Sequence, residues 1–234
     1  MDISLYHDQI YREEKDEGRI KRGIRYMEIE LKNISKKYGD KQLFENLNLA
    51  IKQGEMVAIT GQSGKGKSTL LNIIGLLEEP DSGDVFIQGV QNAWKSEKKQ
   101  LKLFRYTIGY LFQNYALIEQ ETVSKNLDVA LEYVKSPNKK EMKQEALEKV
   151  NLADKIDKKI YQLSGGEQQR IALARLILKK NDIILADEPT GSLDVINRDH
   201  VLNILKSLNA QGKTVIIVTH DPEVAKECTR IINL

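Results

Sequence analysis

A glycine-rich segment between an apolar strand and an apolar helix places the strongest constraint on this chain. Residues 57–60 form a short apolar run, and residues 61–69 then read Gly-Gln-Ser-Gly-Lys-Gly-Lys-Ser-Thr ahead of the helical pattern at 70–74. This spacing fits Gly-x-x-x-x-Gly-Lys-Ser/Thr, in which glycines let the backbone curl until successive N–H groups point at an anion. The following helix start adds free N–H donors and a positive dipole end. The segment therefore predicts a site for a nucleoside triphosphate.

The side chains of this loop have separate expected tasks. Lys67 is expected to reach the β- and γ-phosphates, and the Ser68 hydroxyl is expected to ligate Mg²⁺. A loop of this kind occurs in kinases and GTPases as well, so the loop alone predicts no more than nucleotide binding. The expected nucleotide contacts in the loop are Gly61, Gln62, Ser63, Gly64, Lys65, Gly66, Lys67, Ser68 and Thr69.

A second apolar strand ends in two acidic residues. Residues 183–186 are apolar and run directly into Asp187 and Glu188. Acids at the carboxyl end of a parallel strand face the ligand crevice, and consecutive strand side chains point to opposite faces, so the two roles can differ. We expect Asp187 to bind Mg²⁺ through water and Glu188 to orient or deprotonate the attacking water. An ordinary acidic turn is the alternative, which the phosphate loop in the same chain disfavours.

The remaining pattern indicates an α/β domain. Apolar runs predict strands at 27–34, 47–51, 56–60, 84–88, 183–186 and 214–218, and the continuous runs favour a parallel sheet covered by helices. Residues 95–160 are expected to be largely helical, with one helix at about 139–150. The 36 basic and 34 acidic residues nearly balance, which argues against a nucleic-acid partner. The longest apolar run, 70–77, is too short to cross a membrane.

A second glycine pair lies before another apolar helix. Residues 163–170 read Leu-Ser-Gly-Gly-Glu-Gln-Gln-Arg and lead into the apolar helical pattern at 171–178. Small residues before a helix N-terminus make a second anion site. One triphosphate does not need two such sites in one chain. Two copies related by a twofold axis could use them, each lending its second site to the nucleotide of the other.

With this segment the chain resembles the nucleotide-binding subunits of ABC transporters, over roughly residues 27–234. Residues 163–168 are similar to the family's signature motif, with Glu167 where glutamine is commonest. Other motifs follow in the family's order: Tyr38 resembles the aromatic residue that stacks on adenine, Gln113 the Q-loop glutamine, Asp194 the D-loop aspartate and His220 the switch histidine. The resemblance implies a P-loop NTPase (RecA-like) core with a mainly parallel sheet, an antiparallel β subdomain, and a helical subdomain at about 114–178.

The resemblance also implies an ATPase that uses ATP and Mg²⁺ and works as a homodimer sandwiching two ATP molecules. Gln113 would contact Mg²⁺ or the water, and His220 would bind the γ-phosphate and orient Glu188. Together with Lys67, these three residues would form the catalytic set. Lys65 departs from the small residue that is frequent in the family, and no role is assigned to it. The contacts to the partner's nucleotide would come from Ser164, Gly165, Gly166, Glu167 and Asp194.

Two further segments refine the resemblance. Residues 188–194 and 219–225 look most like the branch of macrolide exporters, lipoprotein-releasing ATPases and the cell-division ATPase, and residues 112–118 resemble subunits for bacteriocin or antimicrobial-peptide export. The expected function is to drive a separate membrane permease, docked near 114–135 at the cytoplasmic face of the cell membrane, that exports a peptide, drug-like or lipid-linked substrate. An ATPase that transmits signals or regulates cell-wall enzymes through a non-transporting membrane partner remains the main alternative, and a scaffold for cofactor assembly is another.

The two ends of the sequence lead to separate expectations. Residues 1–26 carry six acidic and six basic residues and are expected to form a charged extension, or alternatively a short amphipathic helix on the domain. Met27 opens a strand-like alternation and is a candidate alternative start. At the other end, residues 231–234 follow the last strand pattern, so neither a C-terminal regulatory domain nor a fused membrane domain is expected.

Overall fold

The computed structural model describes residues 27–191 and 193–234, so the predictions for residues 1–26 lie outside the described residues. The described chain forms nine strands, seven α-helices and four short 3₁₀ helices. The strands are β1 (Met27–Tyr38), β2 (Lys41–Lys52), β3 (Met56–Thr60), β4 (Ser82–Ile87), β5 (Val90–Gln91), β6 (Ile108–Leu111), β7 (Ile183–Asp187), β8 (Thr214–Val218) and β9 (Arg230–Asn233). The helices are α1 (Lys67–Ile74), α2 (Glu97–Tyr106), α3 (Val123–Asp128), α4 (Lys139–Lys149), α5 (Gly165–Leu178), α6 (Val195–Ala210) and α7 (Pro222–Lys226).

Two sheets form the framework. The strands of one sheet pair antiparallel in the order β2-β1-β4-β5, and those of the other pair parallel in the order β6-β7-β8-β3-β9. Parallel neighbours need crossover connections, which the helices supply. The predicted α/β class, with a mainly parallel sheet and a separate antiparallel one, is confirmed.

The parallel sheet is buried on both faces, which explains its continuous apolar runs. In β7, Ile183 and Leu185 pack into the core shared with α1 and the antiparallel sheet, whereas Ile184 and Ala186 pack against α5 and α6 on the other face. Val215 to Val218 in β8 alternate in the same way. Since consecutive strand residues point to opposite faces, both sets must be apolar when both faces are covered.

The register of the parallel sheet brings its strand ends level. Ile59 of β3 is opposite Val218 of β8, and Asp187 of β7 is opposite the same valine. On the outer side, Leu111 of β6 is opposite Ala186 of β7. The segments that follow β3, β6, β7 and β8 therefore leave the sheet at one edge, which is where ligands bind in open α/β sheets.

The main error in the predicted elements is the strand β6, within a segment that we expected to be largely helical. Ile108–Leu111 is only four residues long and includes Gly109, where an added Cβ would lie 2.5 Å from Leu176 Cδ1. A glycine in a run this short gives little strand signal, and the need for it appears only when α5 packs on the sheet. The strand β9 was likewise not predicted, whereas the helix expected at about 139–150 is α4.

The helices α3, α4 and α5 lie within the range proposed for a helical subdomain. Leu127, Ala146, Leu147 and Ile171 from these helices are completely buried in one shared cluster. Tertiary packing of these apolar faces stabilises helices this short far more than their intrinsic propensity does. Across residues 27–191 and 193–234, no helix has the length and hydropathy that crossing a membrane requires.

Candidate functional site

The level strand ends surround a cavity of about 470 Å³. Its wall is formed by the loop after β3 and the start of α1, by the segments after β6, β7 and β8, and by the first hairpin of the antiparallel sheet. The structure thus brings together most of the predicted site residues, which are far apart in sequence. The residues lining the cavity are Tyr38, Lys41, Leu43, Ser63, Gly64, Gly66, Lys67, Ser68, Thr69, Gln113, Glu188, Gly191, Val218 and His220.

The loop after β3 depends on glycine at positions where other residues would be strained. Gly64 and Gly66 have φ of 75° and 90°, and an added Cβ at Gly66 would lie 2.8 Å from Phe44 Cζ. Phe44 is buried in β2, so this approach fixes the loop against the antiparallel sheet. The Lys67 ammonium donates to the carbonyls of Gly61 and Gln62 at 2.9 and 3.1 Å. A cation is therefore held at the mouth of a backbone curl, as an anion site requires.

Two oxygen-bearing side chains meet between α1 and β7. The Ser68 hydroxyl donates to Asp187 Oδ1 at 3.1 Å. Burial raises the pKa of Asp187, and the neighbouring Glu188 charge adds to this, while the Ser68 hydrogen bond and the Lys67 charge partly oppose it. Hydroxyl and carboxylate oxygens are suitable ligands for a hard cation. A cation bound here would also offset the cost of the partly buried charge.

Glu188 and His220 form the second polar pair. His220 Nδ1 lies 2.9 Å from Glu188 Oε1, and an ionised carboxylate there accepts a hydrogen bond from the ring N–H. The other carboxylate oxygen, Oε2, is buried with no hydrogen-bond partner among the described residues, although the Glu188 side chain lines the cavity. The backbone of Glu188 has φ of 46°, and its N–H donates to the Val218 carbonyl, which fixes this turn to the end of β8. An unpaired oxygen on a fixed carboxylate is a feature expected of a group that binds a reacting water.

Tyr38 lies at the opposite side of the cavity and is half exposed. Its hydroxyl donates to the Glu78 carboxylate, which raises the pKa of the Tyr38 phenol. The Lys36 ammonium is 5.4 Å from the ring centroid and 3.0 Å from Glu78. These contacts hold an exposed aromatic ring at the cavity wall, in a position suited to stacking on a planar base.

The residues predicted to contact a partner's nucleotide lie elsewhere. None of Ser164, Gly165, Gly166, Glu167 and Asp194 lines the cavity. The Ser164 hydroxyl accepts from the Glu167 N–H at 3.2 Å, and the Glu167 carboxylate accepts from the Ser164 N–H at 2.8 Å. This capping box satisfies two donors at the start of α5 and gives the acid at position 167 a structural task. The remaining predicted residues adjoin the cavity in sequence without lining it: Gly61, Gln62, Lys65 and Asp187. The Lys65 side chain is exposed, and no contact with another described residue assigns it a role.

Sequence reasoning missed the contribution of the first β-hairpin. Lys41 lines the cavity and donates to the Gly64 carbonyl at 2.9 Å, and Leu43 lies beside it. Gly191 also lines the cavity, three residues after Glu188, and its N–H donates to the Glu188 carbonyl. A lysine and a leucine in a strand pattern carry no motif, so only the packing of β2 against the loop identifies them.

The close approach of Gly66 to Phe44 generates a prediction. We expect Gly66→Ala to weaken ATP binding at least about tenfold, since strain of about 1–3 kcal/mol at a positive φ must be relieved by moving the loop. Gly89→Ala is the matched control, because Gly89 also has a positive φ of 77° but no atom lies within 4 Å of an added Cβ. Calorimetric titration of both variants measures the effect. Equal affinities for the two would show that the contact with Phe44 does not shape the loop.

The pKa of Asp187 generates a second prediction. Because burial and Glu188 raise this pKa in the folded state, the charged form opposes folding at pH 7, and the penalty is relieved as the pH falls through the raised pKa. Asp187→Asn is therefore expected to raise the unfolding temperature of the ligand-free protein at pH 7, and to do so less as the pH approaches 4. Scanning calorimetry measures this, with exposed Asp157→Asn as the control. A lower unfolding temperature for Asp187→Asn at pH 7 would contradict it.

The comparisons with known proteins agree with this geometry. The sequence profile of the ABC transporter family matches residues 44–191. Two solved structures described as dimers of the ATP-binding cassette MJ0796 superpose with TM-scores of 0.82 and 0.81, at 40% and 39% identity, and each alignment covers 88% of this chain and 94% of the other. The second is described as a post-hydrolysis state bound to ADP and Pi.

Curated relatives point to the same family. The chain is 44% identical over 213 residues to the macrolide export ATP-binding/permease protein MacB of Acinetobacter baylyi, and 41% identical over 208 residues to MacB of Campylobacter jejuni. Each alignment covers 88% of this chain but 32% of the relative, so the chain spans about a third of the length of these proteins. From its matched profile, its relatives and its fold, the chain belongs to the ABC transporter family, as one of that family's ATPase domains.

Proposed function

We propose that this ATPase domain hydrolyses ATP in the cavity at the edge of the parallel sheet and uses the cycle to drive a membrane permease. The observation that supports this most strongly is the convergence of the phosphate loop, Gln113, Glu188 and His220 on one cavity. A phosphoryl-transfer site needs little besides positioning and electrostatics. Tyr38 would stack on adenine at one end of the cavity, with the phosphates directed toward Lys67 at the other.

Magnesium fits the donors that are present. Ser68, Asp187 and Gln113 would hold the ion, with Asp187 acting through water, and Mg²⁺ would supply neutralisation of charge on the phosphate oxygens. Among the described residues no group of three or more His, Cys, Asp or Glu side chains could hold a metal. The substrate's own phosphates and water would complete the shell, which is the usual arrangement for magnesium at triphosphate sites.

Glu188 and His220 would divide the work on the attacking water. Glu188 Oε2, which has no partner in the part of the chain that the structure describes, would accept the hydrogen bond and then the proton of that water. His220 would hold the other carboxylate oxygen and present its second nitrogen to the γ-phosphate. Lys67 and the loop N–H groups would stabilise the charge that develops on the transferred phosphoryl group.

The position of the signature residues supports a dimer of two such domains. Because Ser164 to Glu167 and Asp194 do not line the cavity of their own chain, they would contact a nucleotide only on a second copy. The dimeric state of the two MJ0796 cassettes is consistent with this arrangement. Two ATP molecules would then hold the copies together, and hydrolysis would remove the γ-phosphate contacts and let them separate.

A second cavity of about 680 Å³ lies between α2, the segment after β6, the 3₁₀ turn after α3 and the end of α5. Val129 and Tyr133, which line it, are 55% and 52% exposed, so the groove presents large apolar side chains to solvent. Tyr110 and Phe112 stack in its wall at 4.1 Å, and the Tyr110 hydroxyl donates to Asn72 on α1. We assign this groove to the permease, because a permease element here would contact Tyr110, whose hydroxyl is bonded to the helix that begins with Lys67.

The role of Glu188 leads to the third prediction. Glu188→Gln keeps the shape of the side chain and a hydrogen-bonding oxygen but removes the base, so the hydrolysis rate is expected to fall by about 10²–10⁴-fold. The Kd for ATP is expected to change by less than about twofold, because the phosphate contacts remain. Phosphate release and nucleotide titration measure the two quantities. Hydrolysis at a near-normal rate by the variant would refute this assignment.

The groove leads to the fourth prediction. We expect Val129→Asp to abolish co-purification of the tagged protein with a membrane protein from detergent-solubilised native membranes, while ATP hydrolysis by the isolated domain persists. Ile231→Asp is the control, because Ile231 is 50% exposed on β9 and does not line the groove. If Val129→Asp still co-purifies with the membrane protein, the groove is not the surface that binds the permease.

The transported substrate, and the coupling of ATP hydrolysis to its transport, need a separate measurement. The relatives named MacB are described as macrolide export proteins, and we propose export of a peptide, drug-like or lipid-linked substrate here. Purified complex in vesicles should accumulate such a substrate only with ATP and only with Glu188 intact. A partner that stimulates hydrolysis without moving any of these substrates would favour the signalling alternative.

A further inference from the structure

Asn197, in the first turn of α6, connects two parts of the surface that the proposed function assigns to the partner's nucleotide. Its side-chain Nδ2 donates to Asp194 Oδ2 at 2.6 Å, and its backbone N–H donates to Asp194 Oδ1 at 2.9 Å. Both oxygens of that carboxylate are thereby fixed by one residue. The backbone bond is an ordinary helix cap that other residues at 197 would keep, whereas the side-chain bond is particular to this asparagine.

The carbonyl oxygen of the Asn197 side chain contacts α5, the helix that begins in the signature motif. This oxygen, Oδ1, accepts from the Arg170 guanidinium, one turn after Gly166 on α5. An added Cβ at Gly166 would lie 3.7 Å from the Asn197 amide, so the two helix starts are in close contact. One planar amide therefore joins the D-loop aspartate to the helix that carries Ser164.

We propose that Asn197 is a positioning residue that holds Asp194 and the signature corner, defined as residues 164–167, in one fixed arrangement. Asn197 does not line the cavity of its own chain, so this arrangement acts on the nucleotide bound by the second copy. The inference rests on the proposed dimer. Asn197 itself contacts neither the nucleotide nor the reacting atoms. It sets the distance of Ser164 and Gly166 from the triphosphate that the second copy binds.

Kinetics of two substitutions separate positioning from simple stability. Asn197→Ala loses both side-chain bonds, and we expect its kcat to fall at least about tenfold while the Kd of the single chain for ATP stays within about twofold. Asn197→Asp keeps an acceptor for Arg170 but places a second carboxylate beside Asp194, so an intermediate kcat is expected. Unchanged kcat in Asn197→Ala, or weakened ATP binding by its single chains in proportion to the loss of kcat, would overturn the inference.

A mixing experiment tests action on the second copy directly. Chains of Asn197→Ala have an intact Glu188, and chains of Glu188→Gln have an intact Asn197. A mixed dimer therefore contains one complete site. Titrating Glu188→Gln into a fixed amount of Asn197→Ala should raise hydrolysis at least about threefold above the sum of the separate rates. The double variant Glu188→Gln/Asn197→Ala, used as the control, should give no rise.

The outcomes of the mixing experiment are distinguishable. No rise with Glu188→Gln, or an equal rise with the double variant, would show that Asn197 does not act across the dimer. Sedimentation of Glu188→Gln with ATP tests the proposed dimer separately. If that variant stays monomeric, the proposed dimer is wrong and the inference fails with it; if it dimerises and mixing gives no rise, the inference alone is wrong.

Discussion

The register of the parallel sheet is the constraint on which the rest of this structure depends. Ile59, Val218 and Asp187 stand opposite one another across three strands, so the loops that follow leave the sheet at the same level. A shift by one residue in any of these strands would turn its buried side chains to the opposite face of the sheet. Since both sets are apolar, the close packing of each set in its own core fixes the register. The register in turn fixes the distance between the phosphate loop and the acids at the end of β7.

The strain and charge of the site are concentrated where the segments that follow β7 and β8 are hydrogen-bonded to each other. Glu188 adopts φ of 46°, a conformation that costs a non-glycine residue about 1–3 kcal/mol. Its bonds to Val218 and His220 hold it there, directly beside a second carboxylate on Asp187. The partly buried charge of Asp187, with a second acid beside it, opposes folding of the ligand-free protein. This arrangement is expected of a site whose ligands are a cation and phosphate groups.

Much of the site could be predicted from the sequence because its chemistry resides in short motifs. The phosphate loop follows β3 directly, Asp187 and Glu188 stand at the end of β7, and His220 is two residues after β8. The structure brings all of them to one edge. The strand β6 and the contribution of Lys41 could not be predicted in this way. The need for glycine at position 109 follows from the close approach of Leu176, and the role of Lys41 follows from its hydrogen bond to Gly64. Both depend on contacts between segments distant in sequence.

The signature corner illustrates the opposite case. Its motif is plain in the sequence, yet its glycines and capping box lie outside the cavity of the same chain. The residue that joins this corner to Asp194 carries no recognised motif, because an asparagine three residues after an aspartate is also an ordinary helix start. Only the hydrogen bonds from Asn197 to Asp194 and Arg170 reveal the connection.

The central claim is that each triphosphate is bound by two copies of this domain. A structure of the Glu188→Gln variant with ATP and Mg²⁺ tests it most directly. We expect two copies related by a twofold axis, with each γ-phosphate in hydrogen-bond contact with Lys67 of one copy and Ser164 of the other. A complex in which Lys67 binds the triphosphate while Ser164 of every copy faces only solvent or its own chain would contradict it.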